Sequence, residues 1–140
     1  MSTVAEILQK KGPVFNFVEA DTKVIDALSV MKTRNLSYLV VQKKGEYAGL
    51  VSERDYAQKV ILMGKASAST TVEEIMTTNL PTVISATSAD DCMLTMNSYQ
   101  TRYLPVIDHF DFRGVITIHD LMRDTLQNSA EHHQASSKEK

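Results

Sequence analysis

The alternation of apolar and polar residues predicts a series of elements that occurs twice along the chain. In the first round, apolar residues recur at three- and four-residue spacing over residues 22–35, which indicates a helix. A β-rich apolar run at 38–41 and a return run at 47–51, joined by the polar turn 43–46, predict a hairpin. A helix is then expected from Ser52 to about Met63, before Gly64.

A short helix and a short strand precede each of these series. The pattern Thr-x-x-Glu occurs at residues 3–6 and again at 71–74, and this spacing is typical of the capping box that begins a helix. Apolar residues at 14–18 and at 81–84 then favour one short strand in each round.

The second round follows a small, polar segment at residues 65–70 that has no apolar periodicity and is interpreted as a linker. Its pattern predicts a helix over 88–99, a hairpin over 103–116 and a last helix over 118–126. The remaining residues, 127–140, are mostly polar, and we expect a disordered tail.

The two rounds are copies of each other at a constant separation of 65 residues (120 − 55). The motif Gly-Leu-Val-Ser-x-x-Asp at 49–55 matches Gly-Val-Ile-Thr-x-x-Asp at 114–120, and each motif leads into a predicted helix. Such a regular match indicates an internal duplication. The predicted organisation is a first repeat at 1–64, a linker at 65–70, a second repeat at 71–126 and a tail at 127–140.

Neither repeat is large enough to bury both faces of its own sheet. The expected fold is therefore α+β, with two repeats that are each a small three-stranded sheet with helices, packed sheet to sheet about an approximate twofold axis. Any cleft between the repeats would then occur twice.

Composition limits the classes of function. The 140 residues are 43% hydrophobic and 23% charged with a net charge of −2, which favours neither a nucleic acid nor a membrane as partner. The N-terminus lacks the apolar core of a signal peptide, and a cytoplasmic location is expected. The single cysteine, Cys92, shares a helix face with Met96 and is expected to be a buried structural thiol.

The repeated motif resembles the cystathionine-β-synthase (CBS) domain, and the duplication resembles the tandem pair called a Bateman module. Tyr-Leu-Pro-Val-Ile-Asp at 103–108 is similar to a family strand. Ser-Glu-Arg-Asp-Tyr-Ala at 52–57 is similar to the end of the first copy in small bacterial stand-alone CBS-pair proteins. The resemblance covers residues 3–126.

The resemblance implies a regulatory module without catalytic residues that binds an adenosine-containing ligand in clefts between the repeats. The ligand would be AMP, ADP, ATP, NAD(H) or S-adenosylmethionine. Asp55 and Asp120 would accept hydrogen bonds from ribose hydroxyls, which suits a carboxylate because it has several lone-pair directions. Ser52 and Thr117 would face phosphate at a helix start, where free N–H groups favour an anion.

Further contacts are expected, for phosphate from the charge and position of the residues and for adenine from the resemblance. Arg54 and Arg102 are placed in the sequence to neutralise phosphate, and Lys59 is a weaker candidate. Adenine would contact backbone and apolar groups of the strands and hairpins, namely Asn16, Val18, Tyr38, Leu39, Thr82, Ile84, Tyr103, Leu104 and Pro105. A homodimer formed through exposed helix faces and an effector protein on another chain are the expected partners.

The two clefts are not expected to be equivalent. His119 occupies the position of Arg54 in the second motif, and Pro105 occupies the position of Val40 in the second hairpin. Because it has Arg54, the Asp55 cleft is expected to be the more tolerant of phosphate.

Other interpretations remain open. Ser-x-x-Asp and Thr-x-x-Asp are also capping boxes that need no ligand, and the same spacing occurs at 88–91 without any expected site. A purely structural dimerisation module is therefore one alternative. A nucleotide-processing or dehydrogenase-related enzyme is another, although the sequence has no Walker loop, no Gly-x-Gly-x-x-Gly, no Ser/His/Asp set and no clustered metal ligands.

Overall fold

The computed structural model describes residues 2–13 and 16–138 of the chain. Helices and strands follow the order that the sequence predicts, apart from the strand expected at 81–84, and the α+β class is confirmed. The elements are α1 Val4–Lys11, β1 Phe17–Glu19, α2 Val24–Arg34, β2 Tyr38–Lys43, β3 Glu46–Ser52, α3 Glu53–Tyr56 with a π-helical turn at Ala57–Ile61, α4 Val72–Ile75, α5 Ala89–Tyr99, β4 Tyr103–Asp108, β5 Asp111–Thr117 and α6 Ile118–Lys138.

These elements form two compact units whose limits differ from those of the sequence repeats. One unit is Val14–Asn79, and the other combines Met1–Pro13 with Leu80–Lys140. The segments that open the two repeats, residues 2–13 and 71–79, are called here the first and second opening segments. Each opening segment therefore belongs to the unit that contains the strands and long helices of the other repeat.

Matching hydrogen bonds fix the two opening segments in their units. The amide of Val4 donates to the carbonyl oxygen of Thr87 at 2.8 Å, and the amide of Val72 donates to that of Thr22 at 2.8 Å. Thr3 accepts a hydrogen bond from the Glu6 amide, and Thr71 forms a capping box with Glu74, so both helix starts predicted from the Thr-x-x-Glu pattern are confirmed.

In the unit Val14–Asn79, a three-stranded sheet packs against α2. β1 runs parallel to β2, and β2 pairs antiparallel with β3, with Val40 opposite Leu50. Val40 and Leu50 are buried, and so are Leu39 and Val41 on the alternate positions of β2. The core consists of Ala20, Val24, Ala27, Met31, Leu39, Val41, Val51, Val60, Val72 and Ile75, the last two from the second opening segment.

In the other unit, β4 and β5 form an antiparallel pair with the same register, Leu104 opposite Ile116. The core consists of Val4, Ile7, Val83, Cys92, Met96, Leu104, Val106, Ile116 and Leu121, the first two from the first opening segment. Burial, with a smaller effect of the Asp91 charge, raises the pKa of the Cys92 thiol to about 11. The expected burial of this thiol is confirmed.

The strand expected at 81–84 is reduced to one bridge between Val83 and Val106. Proline explains the difference. In the first sheet, the amide of Val40 donates to the carbonyl oxygen of Asn16 at 2.9 Å. Pro105 occupies the position of Val40 in the second repeat, and because proline has no N–H it cannot make the corresponding bond.

Two helices also differ from their predicted extents. The tail expected to be disordered from Gln127 continues α6 as far as Lys138. The chain has neither glycine nor proline after Gly114, and it has several good helix formers, so nothing in the sequence ends this helix. The helix expected from Ser52 is α-helical only to Tyr56 and continues as the π-helical turn. No helix in the described part of the chain is both long and apolar enough to cross a bilayer.

Candidate functional site

The Asp55 carboxylate joins the end of β3 to the start of α3 through hydrogen bonds. Ser52 is the N-cap of α3, and its hydroxyl accepts a hydrogen bond from the Asp55 amide at 3.3 Å. One carboxylate oxygen of Asp55, Oδ2, accepts from the amide of Ser52 at 2.9 Å and from its hydroxyl at 3.1 Å. The predicted capping box is confirmed, and Asp55 is 7% exposed.

The other carboxylate oxygen of Asp55 is joined to the second opening segment. Oδ1 accepts a hydrogen bond from the Thr77 hydroxyl at 2.8 Å and forms an ion pair with the Lys59 ammonium at 2.9 Å. The same ammonium donates to the carbonyl oxygen of Ile75 at 2.9 Å and to the hydroxyl of Thr77 at 3.2 Å. Asp55 therefore connects the motif helix to residues 75–77.

Asp120 has the same position at the end of β5 and the start of α6. Its amide donates to the Thr117 hydroxyl at 3.1 Å, and its Oδ2 accepts from the Thr117 amide at 2.9 Å. Thr117 and Asp120 are 6% and 3% exposed. The structure thus brings together both predicted pairs of the motif, Ser52 with Asp55 and Thr117 with Asp120.

Two cations contact the Asp120 carboxylate. Lys11 of α1 forms an ion pair with Oδ2 at 2.9 Å and also donates to the carbonyl oxygen of Val115 at 2.9 Å. Arg123, one helical turn beyond Asp120, forms an ion pair with Oδ1 at 2.6 Å. A lysine therefore links each motif aspartate to an opening segment. At Asp55 the lysine is Lys59, which follows α3, and at Asp120 it is Lys11, which belongs to the first opening segment.

A cavity of about 290 Å³ lies beside Asp120, between α1 and α6. Its wall combines one apolar side chain with cationic, anionic and amide groups: Ile7, Lys10, Lys11, Asp120, Arg123, Asp124 and Gln127. Lys10 donates to Gln127 at 3.4 Å, and Asp124 accepts from the Ser2 hydroxyl at 2.7 Å. The cavity has room for a small polar ligand next to a motif carboxylate.

The residues expected to contact adenine differ in exposure. Asn16, Tyr38, Leu39, Leu104 and Pro105 are buried, and the carbonyl oxygen of Asn16 is bonded to the Val40 amide. Val18 and Tyr103 are partly exposed, Thr82 is exposed, and Ile84 is 52% exposed. The buried members belong to the sheets and help to build the units.

The arginines expected to neutralise phosphate, Arg54 and Arg102, are both exposed. The cation that contacts the Asp55 carboxylate is Lys59, which the sequence places one turn further along the helix.

The loop that carries Ile84 is fixed to β4 by Asp108. The amide of Ser85 donates to Asp108 Oδ1 at 2.9 Å, and the Ser85 hydroxyl donates to Oδ2. The hydroxyl bond, the amide bond and the nearby Arg113 charge hold the pKa of Asp108 below its usual value, because each favours the ionised form. In the first repeat the corresponding residues are Ala20 and Lys43, so this connection exists in one unit alone among the residues that the structure describes.

Three contacting residues were missed by the sequence analysis: Lys11, Thr77 and Arg123. Arg123 could have been found, because its spacing of three from Asp120 places both on one helix face. Lys11 and Thr77 are 109 and 22 residues from their aspartates, and no local pattern signals such contacts. Within the described part of the chain, no group of three or more His, Cys, Asp or Glu side chains is placed to hold a metal ion.

Comparison with known proteins agrees with the motifs and the fold. The family model described as CBS domain matches residues 3–61 and 72–126. The CBS domain-containing protein CBSX3, mitochondrial, of Arabidopsis thaliana is 33% identical over 139 residues, covering 93% of this chain and 68% of that protein. The CBS domain-containing protein YhcV of Bacillus subtilis is 27% identical over 113 residues, covering 81% of this chain and 80% of that protein.

Solved structures show the same fold. A CBS-domain protein from Burkholderia ambifaria is 36% identical with a TM-score of 0.83, covering 90% of this chain and 95% of that one. The CBS-domain containing protein ATU1752 from Agrobacterium tumefaciens is 26% identical with a TM-score of 0.81, covering 89% and 99%. The resemblance drawn from the motifs is confirmed. The chain belongs to the CBS domain family and carries two CBS domains in tandem.

Proposed function

We propose that this chain is a sensor of adenine nucleotides and that it signals to a partner protein by a change in shape or association. CBS-domain pairs generally serve as regulatory modules, which supports the regulatory class. The ligand is AMP, ADP, ATP or NAD(H), and its ribose hydroxyls bind the carboxylates of Asp55 and Asp120.

The observation that carries this proposal is the pair of buried motif carboxylates. Asp55 and Asp120 are 7% and 3% exposed, and each lies at the start of a helix with a lysine ammonium 2.9 Å away. A carboxylate accepts the two hydroxyls of a ribose at once, and a neighbouring cation attracts the phosphate attached to that ribose.

The surroundings of the two aspartates support different affinities. The cavity beside Asp120 is lined by three cationic side chains, Lys10, Lys11 and Arg123. The sequence favoured the Asp55 cleft for phosphate because of Arg54, but Arg54 is exposed and the Asp55 carboxylate contacts Lys59. We therefore assign the tighter nucleotide site to Asp120.

The signal passes to another chain. A second copy is the expected first partner, because large apolar side chains lie exposed on the motif helices. They are Ile61, Leu62 and Met63 after α3, and Met122 and Leu126 on α6. Sedimentation of the purified chain with and without nucleotide measures whether ligand binding changes the association.

The test of nucleotide binding combines a thermal-shift screen with calorimetry. AMP, ADP, ATP, NAD(H) and S-adenosylmethionine are each added, and a ligand at about a hundred times its dissociation constant adds about 2.7 kcal/mol to the stability. That gain raises the melting temperature by several degrees. No shift with any ligand would contradict the proposal.

The variant Asp120→Asn tests the assigned contact. The asparagine keeps an oxygen for the capping box but loses the charge and part of the acceptor capacity. We therefore expect the nucleotide affinity to fall by about tenfold or more. Asp91→Ala is the matched control, because Ser88 and Asp91 have the same spacing at the start of α5 and Asp91 is exposed there. Equal loss of affinity in both variants would show that the motif carboxylate has no specific role.

A structural module without ligand is the second candidate. It is favoured by the internal contacts of Asp55, whose two oxygens already accept hydrogen bonds from Ser52 and Thr77 and form an ion pair with Lys59. Under this alternative the chain associates equally with and without nucleotide, and the thermal screen is flat. An assay of nucleotide turnover separates both candidates from an enzyme.

A further inference from the structure

The number of donor groups around each motif carboxylate differs, and this difference has a consequence for ligand binding. A carboxylate has about four acceptor positions. Four donor groups surround Asp55: the Ser52 amide, the Ser52 hydroxyl and the Thr77 hydroxyl through hydrogen bonds, and the Lys59 ammonium through an ion pair, all at 2.8–3.1 Å. Asp120 accepts from Thr117, Lys11 and Arg123, which are three donors.

A ribose that donates two hydroxyls to Asp55 must therefore replace two donors. The Ser52 amide is held in place by the strand and helix that it joins, since Ser52 is the last residue of β3 and the N-cap of α3. The Ser52 hydroxyl also contacts Oδ2 and is held as the N-cap, because it accepts from the Asp55 amide. The donors that can move are the two side chains on Oδ1, those of Lys59 and Thr77. The Asp120 carboxylate has about one acceptor position free, and the ribose needs two. The loss of a single cation from Asp120 provides the second position.

Both movable donors at Asp55 hold the second opening segment. Thr77 is part of that segment, and Lys59 also donates to the Ile75 carbonyl oxygen and to the Thr77 hydroxyl. The segment ends at Asn79, where the chain passes from one compact unit to the other. Loss of these contacts would leave Thr77 held to β3 only by its two backbone hydrogen bonds with Leu50, of 2.8 and 3.1 Å.

We propose that Asp55 is the signalling site: a nucleotide ribose displaces Lys59 and Thr77 from its carboxylate, and this displacement loosens residues 75–79, the end of the second opening segment. The proposal rests on the proposed nucleotide-sensing function and adds its regulation. Asp120, which needs to give up one cation, binds nucleotide without this change in the second opening segment. Occupation of Asp55 is accordingly the weaker binding step and the one that carries the signal.

Hydrogen–deuterium exchange of the whole chain tests the displacement, with AMP and ATP as probes. We expect saturating AMP or ATP to increase the exchange rates of the Thr77 and Leu50 amides several-fold, because their mutual bonds lose the support of Asp55. The Val4 amide, bonded to Thr87 in the other unit, serves as the reference and is expected to stay unchanged.

The variant Lys59→Met imitates the displaced state. Without ligand, it is expected to raise exchange at Thr77 as nucleotide does in the wild type. It is also expected to increase the affinity of the weaker site about tenfold, because the ribose no longer competes with the Lys59 ion pair. Gln58→Met is the matched control, since it places the same side chain at the preceding, exposed position of the helix.

The outcomes separate this proposal from the function on which it rests. Nucleotide binding with unchanged or slower exchange at Thr77 and Leu50 would overturn the displacement and leave the sensing function intact. A weaker affinity in Lys59→Met would also overturn it, because Lys59 would then be a phosphate contact. If neither the wild type nor Lys59→Met binds AMP or ATP, both the displacement and the sensing function fail.

Discussion

Single residues of the motif combine a structural role with the proposed binding role. The carboxylates of Asp55 and Asp120 complete capping boxes with Ser52 and Thr117, and the same oxygens would accept ribose hydroxyls. Loss of a helix cap costs about 1 kcal/mol. Removal of either aspartate also removes an ion pair with a lysine, so substitution to alanine is expected to lower stability as well as affinity. A substitution that retains an oxygen, as in Asp120→Asn, separates these effects better.

Gly49, the first residue of the motif, provides a test of the second opening segment. A Cβ atom at this position would lie 2.9 Å from the carbonyl oxygen of Thr77 and 3.1 Å from the sulfur of Met76. The carbonyl is part of the backbone that pairs with Leu50, so it cannot move aside without breaking that pairing. We expect Gly49→Ala to destabilise the chain by about 1–3 kcal/mol, measured by urea unfolding. An unchanged midpoint would show that this segment does not lie against β3.

The contacts of the motif could be predicted only where they are local. The spacing of Ser52 and Asp55 predicts a capping box, and the structure contains it. The contacts of Lys11 and Thr77 were not predictable, because they depend on which unit each opening segment joins. Helical spacing carries information over three or four residues, and these pairs are much further apart.

Helices and strands were likewise predicted where the signal is local in the sequence. Both hairpins and both long helices, α2 and α5, were predicted from the apolar pattern, because each is long and strongly periodic. The strand at 81–84 was not correctly predicted, since the effect of Pro105 appears only when that residue is placed beside the preceding strand. The extent of α6 was also missed, because polarity was taken as a sign of disorder where helix propensity was high.

The turns of the two hairpins offer a matched comparison. Lys44 and Gly45 have φ angles of 53° and 78°, and His109 and Phe110 have φ angles of 48° and 70°. Glycine adopts this left-handed conformation at little cost, whereas a side chain is unfavourable there. Phe110 is also fully exposed, so no contact with the residues that the structure describes compensates for its conformation. We expect Phe110→Gly to stabilise the chain by about 1 kcal/mol, measured by thermal unfolding.

The reverse substitution is the control for this comparison. Gly45→Phe places the same side chain at the corresponding turn of the first hairpin, and it is expected to destabilise the chain by a similar amount, about 1 kcal/mol. If Phe110→Gly instead lowers the melting temperature, the Phe110 side chain has a stabilising contact in the folded chain.

At the scale of the whole molecule, the sequence repeats and the compact units divide the chain differently. The duplication is visible in the sequence because the copies retain the same residues at the same spacing. That similarity reports common ancestry, and it does not report which copy an opening segment packs against. The division of the chain into Val14–Asn79 and its complement therefore came from the structure alone.

This division predicts which part of the molecule a core substitution weakens. Ile7 belongs to the first repeat by sequence, yet its side chain is part of the core formed with Val106, Ile116 and Leu121. Ile7→Ala removes buried apolar volume and is expected to cost about 2–5 kcal/mol. Hydrogen exchange should then rise mainly in β4, β5 and α5, because local opening follows the unit that loses its packing.

Ile75→Ala is the matched substitution in the second opening segment, since Ile75 is buried in the core of the other unit. Exchange should rise in β1, β2 and β3, although Ile75 belongs to the second repeat by sequence. Each variant is thus expected to destabilise the strands of the repeat to which it does not belong by sequence. If Ile7→Ala instead opened β1 to β3 and Ile75→Ala opened β4 and β5, each repeat would fold with its own opening segment. The coupling proposed for Asp55 would then lose its basis, because Thr77 would not lie beside it.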